Sequence, residues 1–284
     1  MLGYTKTRFH EIRIRLENHA ATSRLDGFLW EFFLFGFKQG WACLFGGIIL
    51  GLLLLTKWLW PAHAWLARYD FLFLAALAVQ ALLLILRMET VREAKVILIF
   101  HIVGTLMELF KTDVGSWTYP ENNFFRLGPV PLFSGFMYAS VGSYLARVTR
   151  ILDVRYTRYP NVWVTVSLAV LIYVNFFTHH FLPDLRIVLF VGVGVAFGPT
   201  SVYYRPYQKF RRMPLLLGFG LVALFIWGAE NIGTFATVWV YPNQRHGWQL
   251  VHFGKYGSWL LLMIISFVLV TLVHPPRVPE VAEI

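Results

Sequence analysis

Glu108 and Glu230 stand in otherwise apolar stretches, and each is followed by the same residues at the same spacing. MELFKTDVGSWTYPE (Met107–Glu121) and AENIGTFATVWVYPN (Ala229–Asn243) share a Glu, a Thr four residues on, a Trp nine on and Tyr-Pro at eleven and twelve. A carboxyl inside a membrane segment must face protein or water rather than lipid, so both are candidate catalytic acids or bases. Removal from water favours the protonated form of an acid, which then has a proton to give. Trp117, Tyr119, Trp239 and Tyr241 add ring faces that attract a cation, and with Asn231 and His101 they are the candidate substrate contacts. A plainer account has Pro and aromatic residues ending and anchoring each helix, with the acids paired to Lys111, Arg126 or Lys255.

Histidines form the second set. His101 precedes Glu108 by seven residues, two helical turns, so both project from one face. NFFTHHFLPD places Asn175, His179, His180 and Asp184 near the same end of the chain's fifth apolar run. No cofactor is predicted; a divalent metal is a candidate through His101, His179 and His180, because imidazole and carboxylate suit transition metals. Adjacent histidines point about 100° apart on a helix, so His179 and His180 meet at one ion only where the helix has ended. Cys43 is the sole cysteine, which excludes an internal disulfide and a Cys-x-x-Cys pair and reads as a packed small hydrophobe. Ser134 and Ser143 lie in no G-x-S-x-G elbow, and no P-loop, EF-hand or HExxH occurs.

The elements that must position these groups follow from composition. With 57% hydrophobic and only 14% charged residues, the 284-residue chain is expected to be an all-α, polytopic transmembrane bundle. About eight runs approach the roughly 20 residues needed to cross ~30 Å of hydrocarbon. They lie near 40–58, 70–87, 94–111, 130–146, 162–180, 185–204, 213–230 and 257–274. FLWEFFLFGFKQGW (28–41) is too interrupted to cross and is expected at the interface or oblique to the bundle. Gly47-x3-Gly51 and Gly194-x3-Gly198 are expected to be close-approach faces. No cleavable leader is read at the N-terminus.

The net charge of +10 has a topological explanation rather than a nucleic-acid one. Threading eight spans from a cytoplasmic start puts seventeen Lys and Arg on one side and seven on the other, with Lys38 unassigned. The positive-inside rule then places both termini in the cytoplasm. RVTRILDVRYTRYP and YYRPYQKFRRMP become solvated cytoplasmic loops near anionic lipid heads. The expected division is a basic segment 1–26, a membrane domain 27–274 and a tail 275–284. The two motifs are 122 residues apart, and Gly142-Ser143-Tyr144 and Gly257-Ser258-Trp259 follow them, which predicts parallel four-helix repeats over 27–150 and 151–274.

GFKQGWACLFGG, YDFLFLAALAVQ, EAKVILIFHIVGTLMELFK, VPLFSGFMYASVGSY, NFFTHHFLPD, MPLLLGFGLVALFIWGAENIGTF and GSWLLLMIISFVLVTLVH together resemble the uncharacterised YoaT-like family of bacterial integral membrane proteins. That resemblance implies the bacterial cytoplasmic membrane. Glu108, Gly115, Trp117 and Tyr119 with Pro129-Val130-Pro131-Leu132 are also similar to the motif of membrane carotenoid-biosynthesis proteins of the lycopene cyclase and hydratase type. Glu230, Gly233, Trp239 and Tyr241 repeat the first part without the Pro-x-Pro-Leu continuation. The leading expectation is a cofactor-independent enzyme protonating an isoprenoid or other apolar lipid, a cyclase, isomerase or hydratase. The alternatives are a proton- or cation-coupled transporter of small solutes and a noncatalytic assembly factor. Expected partners are membrane lipids and an apolar small molecule, not nucleic acid.

Overall fold

In hydrocarbon every backbone N–H and C=O must find a partner within the protein, so apolar runs of this kind become helices. The computed structural model describes residues 24–61 and 63–280. The expected basic segment 1–26 therefore lies almost wholly outside the described residues, as does the end of the tail, 281–284. The helices are α1 (Arg24–Ala42), α2 (Leu44–Leu59), α3 (Arg68–Ile85), α4 (Val91–Asp113) and α5 (Ser134–Ile151), followed by α6 (Val162–Thr178), α7 (Arg186–Phe197), α8 (Leu215–Phe235) and α9 (Gly254–Val273).

Each of the eight apolar runs overlaps chiefly one of α2 to α9, although 40–58 begins in α1, 130–146 begins before α5 and 185–204 extends beyond α7. Three of these, α3, α8 and α9, are long and apolar enough to cross a membrane, or four spans if α1 and α2 are one broken element bent by 69°. The 12 residues of α7 rise only about 18 Å, and α4 carries Arg92, Glu93, Lys95, Glu108, Lys111 and Asp113. Phe225, Ile187 and Ile85 are 79%, 79% and 76% exposed, apolar surface that a water-soluble protein would bury. The segment 28–41 does leave the axis of α2 through the 69° bend. Cys43, at that bend, is exposed rather than packed.

The closest helix pair is α4 with α5, which run antiparallel. A Cβ on Gly104 would lie 2.7 Å from the Tyr138 ring, one on Gly135 2.4 Å from His101, and one on Gly142 2.7 Å from Phe100. These lone glycines on facing helices do what was expected of the Gly-x3-Gly pairs. Gly47, Gly51 and Gly194 face open space, and Gly198 meets only its own helix. At its start α4 is closed by a capping box, Glu93 N–H donating to Thr90 Oγ1 at 3.2 Å and Thr90 N–H to Glu93 Oε2 at 2.7 Å.

Two small antiparallel sheets correct the all-α expectation. β1 (Arg126–Leu127) pairs with β2 (Val130–Pro131), and β3 (Arg155–Thr157), β4 (Ser201–Tyr204) and β5 (Arg211–Pro214) form a three-stranded sheet. The basic stretches expected to be solvated loops supply this second sheet. Asp153, preceding β3, draws in Arg155 at 3.1 Å, Arg205 at 2.9 Å and Arg277 at 3.1 Å. Arg147, assigned to the same loops, is instead fully buried in α5, 3.5 Å from Glu89. Glu89 also accepts from Ser143 at 2.7 Å and Gln80 at 2.6 Å.

Burial alone would raise the Asp153 pKa, but the Arg155 hydrogen bond and the three guanidinium charges outweigh it and hold the carboxyl below the usual value. Its stabilisation is complete above the unfolded value near ~3.9 and is lost as pH falls through the lower folded value. Asp153→Asn is expected to cost about 1–2 kcal/mol at neutral pH, read as a lower midpoint of thermal unfolding in detergent. The difference from wild type should vanish in strong acid.

Candidate functional site

α4 and α8 end in the same way, hydrogen bond for hydrogen bond. After α4, Val114 N–H donates to Phe110 O, Gly115 N–H to Thr112 O and Ser116 N–H to Lys111 O. After α8, Ala236 N–H donates to Ile232 O, Thr237 N–H to Thr234 O and Val238 N–H to Gly233 O. Counted from Glu108 and Glu230 these are identical positions, and they make a Schellman cap at each helix end. The cap needs a left-handed residue, supplied by Gly115 at φ 71° and by Thr237 at φ 53°.

Each cap throws its chain back across its own helix, so that the motif's rings reach the motif's acid. Glu108 is 3% exposed and accepts on Oε2 from Trp117 Nε1 and Tyr119 Oη, each at 2.7 Å. Tyr138 of α5, its ring lying flat on Gly104, donates to Oε1 at 2.7 Å. Glu230 is 5% exposed and accepts from Trp239 Nε1 at 3.2 Å and from Tyr241 Oη. Gly233 makes room here, since a Cβ would lie 1.9 Å from the Trp239 ring. Burial, reinforced by Glu108, pushes the Tyr119 hydroxyl well above its ordinary range, and burial with Glu230 does the same for Tyr241. Both therefore remain neutral donors.

The two groups also meet each other. Thr118 and Val240, both ten residues beyond their Glu, form an antiparallel bridge with N–H···O distances of 3.0 and 2.9 Å. The Trp117 and Tyr241 rings meet edge to face at 5.9 Å. Lys255, on the first turn of α9, sets its ammonium over both, 5.7 Å from Trp117 and 4.6 Å from Tyr241. Its charge also bears on Glu230.

Other expected contacts lie apart. Asn231 donates to Trp227 O and accepts from Val251 N–H, both at 2.8 Å, so it pins the loop before α9. His101 faces α5, as its spacing from Glu108 requires, but its ring meets Phe136 at a tilt, centroids 4.5 Å apart, and its Nδ1 is without a hydrogen-bond partner among the described residues. His179 Nδ1–H donates to Asn175 O at 2.9 Å, and His180 Nε2 lies 2.7 Å from Lys111 Nζ. The three histidines are not gathered at one point. Among the described residues no group of three or more His, Cys, Asp or Glu is placed to hold a metal ion.

Sequence reasoning missed the hub beneath the motif loops. Arg68, Tyr69 and Asp70 open α3. Arg68 donates to Ala236 O and to Glu121, both at 2.8 Å, joining the two loops. Tyr69 donates to Val238 O at 2.7 Å, and Asp70 accepts from the N–H groups of Phe124 and Phe125 at 2.9 and 2.7 Å. A readable signal existed, two charges and a Tyr at the head of an apolar helix.

Helices apolar enough to span a bilayer, with carboxylates buried at one end, define a helical membrane protein. The chain belongs to the family described as "Protein of unknown function (DUF817)", which matches residues 31–267 and so includes both acids. A curated relative, "Uncharacterized protein YoaT" of Bacillus subtilis (strain 168), is 46% identical over 236 residues, 83% of this chain and 89% of the relative. No solved structure matches. The YoaT-like resemblance is thus established; neither match is described as a carotenoid-biosynthesis protein.

Thr237 is β-branched at a left-handed position, where Gly115 stands in the other cap. Thr237→Gly should stabilise the protein by about 1 kcal/mol, measured as a higher thermal unfolding midpoint in detergent. Gly115→Thr should shift it the other way.

Proposed function

We propose that this protein is a proton-coupled transporter of small solutes, with Glu108 and Glu230 as the proton-sensitive latches of one gate. The observation that carries this reading is that both loops closing one end of the bundle are held by ring donors on a buried carboxylate. Charge-assisted hydrogen bonds are about twice as strong as neutral ones. Protonating Glu108 weakens its hold on Trp117, Tyr119 and Tyr138, and protonating Glu230 weakens its hold on Trp239 and Tyr241. The loops then loosen together, because the Thr118–Val240 bridge couples them.

The same caps, spacing and bridge support two parallel repeats of four helices, α2–α5 and α6–α9, about an axis along the membrane normal. With the orientation expected from the basic residues, the latches face the outside of a bacterial cytoplasmic membrane and both termini lie inside. The enzymatic alternative needs free ring faces beside the acids to stabilise a carbocation. Lys255 occupies those of Trp117 and Tyr241. The apolar cavity lined by Tyr144, Tyr156, Phe219, Phe267 and His274 lies at the other end of α8 and α9.

The test uses proteoliposomes loaded with a pH-sensitive dye and challenged with a solute panel under an inward proton gradient. Wild type should acidify the lumen with at least one solute. Glu108→Gln and Glu230→Gln should each slow this at least about tenfold, a loss of ~1.4 kcal/mol or more, with unchanged helical circular dichroism. Proton flux indifferent to every solute, or to both substitutions, would sink the proposal. A lipid that changes mass only in cells expressing wild type, not Glu108→Gln, would restore the enzyme.

A further inference from the structure

Seven cations fall on the poorly basic side of the chain in the expected topology, and three of them, Lys111, Arg186 and Lys255, lie close enough for their charges to act on one another. Lys111, one turn beyond Glu108, is only 4% exposed. The charges of Lys255, Arg186 and Asp184 all bear on it. Its ammonium lies 4.1 Å from the Phe176 ring centroid and 2.7 Å from His180 Nε2, so among the described residues one of its three N–H donors is used by an imidazole and none by a carboxylate.

The surrounding acids are already engaged. Asp184 is taken by Arg186 and by Asn175 Nδ2 at 3.3 Å. Glu230 is taken by Trp239 and Tyr241, and among the described residues Lys255 Nζ has ring faces beneath it but no hydrogen-bond acceptor. Arg186 also reaches Ser258 Oγ at 3.2 Å, which ties α7 to the first turns of α9. Burial, followed by the Lys111 charge, pushes the His180 pKa down, so the ring is neutral at physiological pH. Since Nε2 accepts from Lys111, the His180 proton sits on Nδ1 and is one more donor.

A cluster with surplus ammonium donors and too few acceptors is matched by an oxyanion. We propose that Lys111, Lys255, Arg186 and His180 form a binding site for a phosphate group, carried either by a soluble ligand or by a lipid head. Lys111 and Lys255 bring two ammonium groups beyond the Arg186–Asp184 pair, Lys255 also answering the Glu230 charge, which suits a phosphate oxyanion. Phe181, Leu182 and Ile187 flank the site at 74%, 61% and 79% exposure and would lie against the tail of a lipid ligand. Occupancy would draw Lys255 from the rings of Trp117 and Tyr241, which joins ligand binding to the bridge between the loops.

With a soluble ligand this inference names the substrate class of the transport reading, and it rests on that reading only for purpose, because binding is measured in detergent, where nothing is transported. The full-length protein is titrated at constant ionic strength with inorganic phosphate and, separately, with a short-chain phosphatidic acid, using calorimetry and thermal shift. The expected result is saturable binding of at least one probe, weakened at least about tenfold in Lys111→Met and in Arg186→Gln. Arg186 is 41% exposed, and unchanged helical circular dichroism checks that this variant keeps the fold. Equal affinity for both probes assigns the site to the phosphate alone, and a tenfold preference for phosphatidic acid assigns it to a lipid head. Absence of saturable binding to either, or binding unchanged in Arg186→Gln and in a folded Lys111→Met, overturns the proposal.

Discussion

Everything at the functional end of this molecule depends on one constraint, that a carboxylate buried in an apolar bundle must be given hydrogen-bond donors. Water cannot supply them to Glu108 at 3% exposure or to Glu230 at 5%. The donors come from Trp and Tyr, side chains whose rings are at home in the same apolar surroundings. Because those rings sit on the chain that follows each helix, satisfying the acid also decides where the loop goes. The Schellman caps, the glycine seats under Tyr138 and Trp239, and the hub at Arg68–Asp70 are the means by which the backbone reaches that arrangement.

The bundle beneath serves the same end. α5 approaches α4 closely because single glycines alternate across the contact, and that proximity aims Tyr138 at Glu108. At the other end Arg147 is buried against Glu89, itself held by Ser143 and Gln80. A buried pair of this kind adds little net stability, but removing either partner leaves an uncompensated charge. It therefore holds α5 and the α3–α4 turn in one register.

The doubled motif was legible because its spacing survives in the linear chain, and so were the helices, since apolar runs leave the backbone no other choice. The β3–β5 sheet was not, because Arg155, Arg205 and Arg211 look like solvated charge until Asp153 and Glu31 are seen to collect them. Lone glycines such as Gly104 and Gly135 carry no pattern within either helix; only their opposition gives them meaning. The Thr118–Val240 bridge is one residue pair long and leaves no alternation to read. Asn231, next to an acid in sequence, projects about 100° further round α8 and engages Trp227 O and Val251 N–H, which residue type alone does not reveal.

Thr118 and Val240 occupy the same place in their respective motifs, and an antiparallel pair between equivalent places is self-complementary. Whatever one strand offers, the other offers in return. The bridge thus has the local symmetry of a contact between like surfaces, made here within one polypeptide. The two sides differ all the same, with Tyr138 serving one acid and Lys255 standing beside the other.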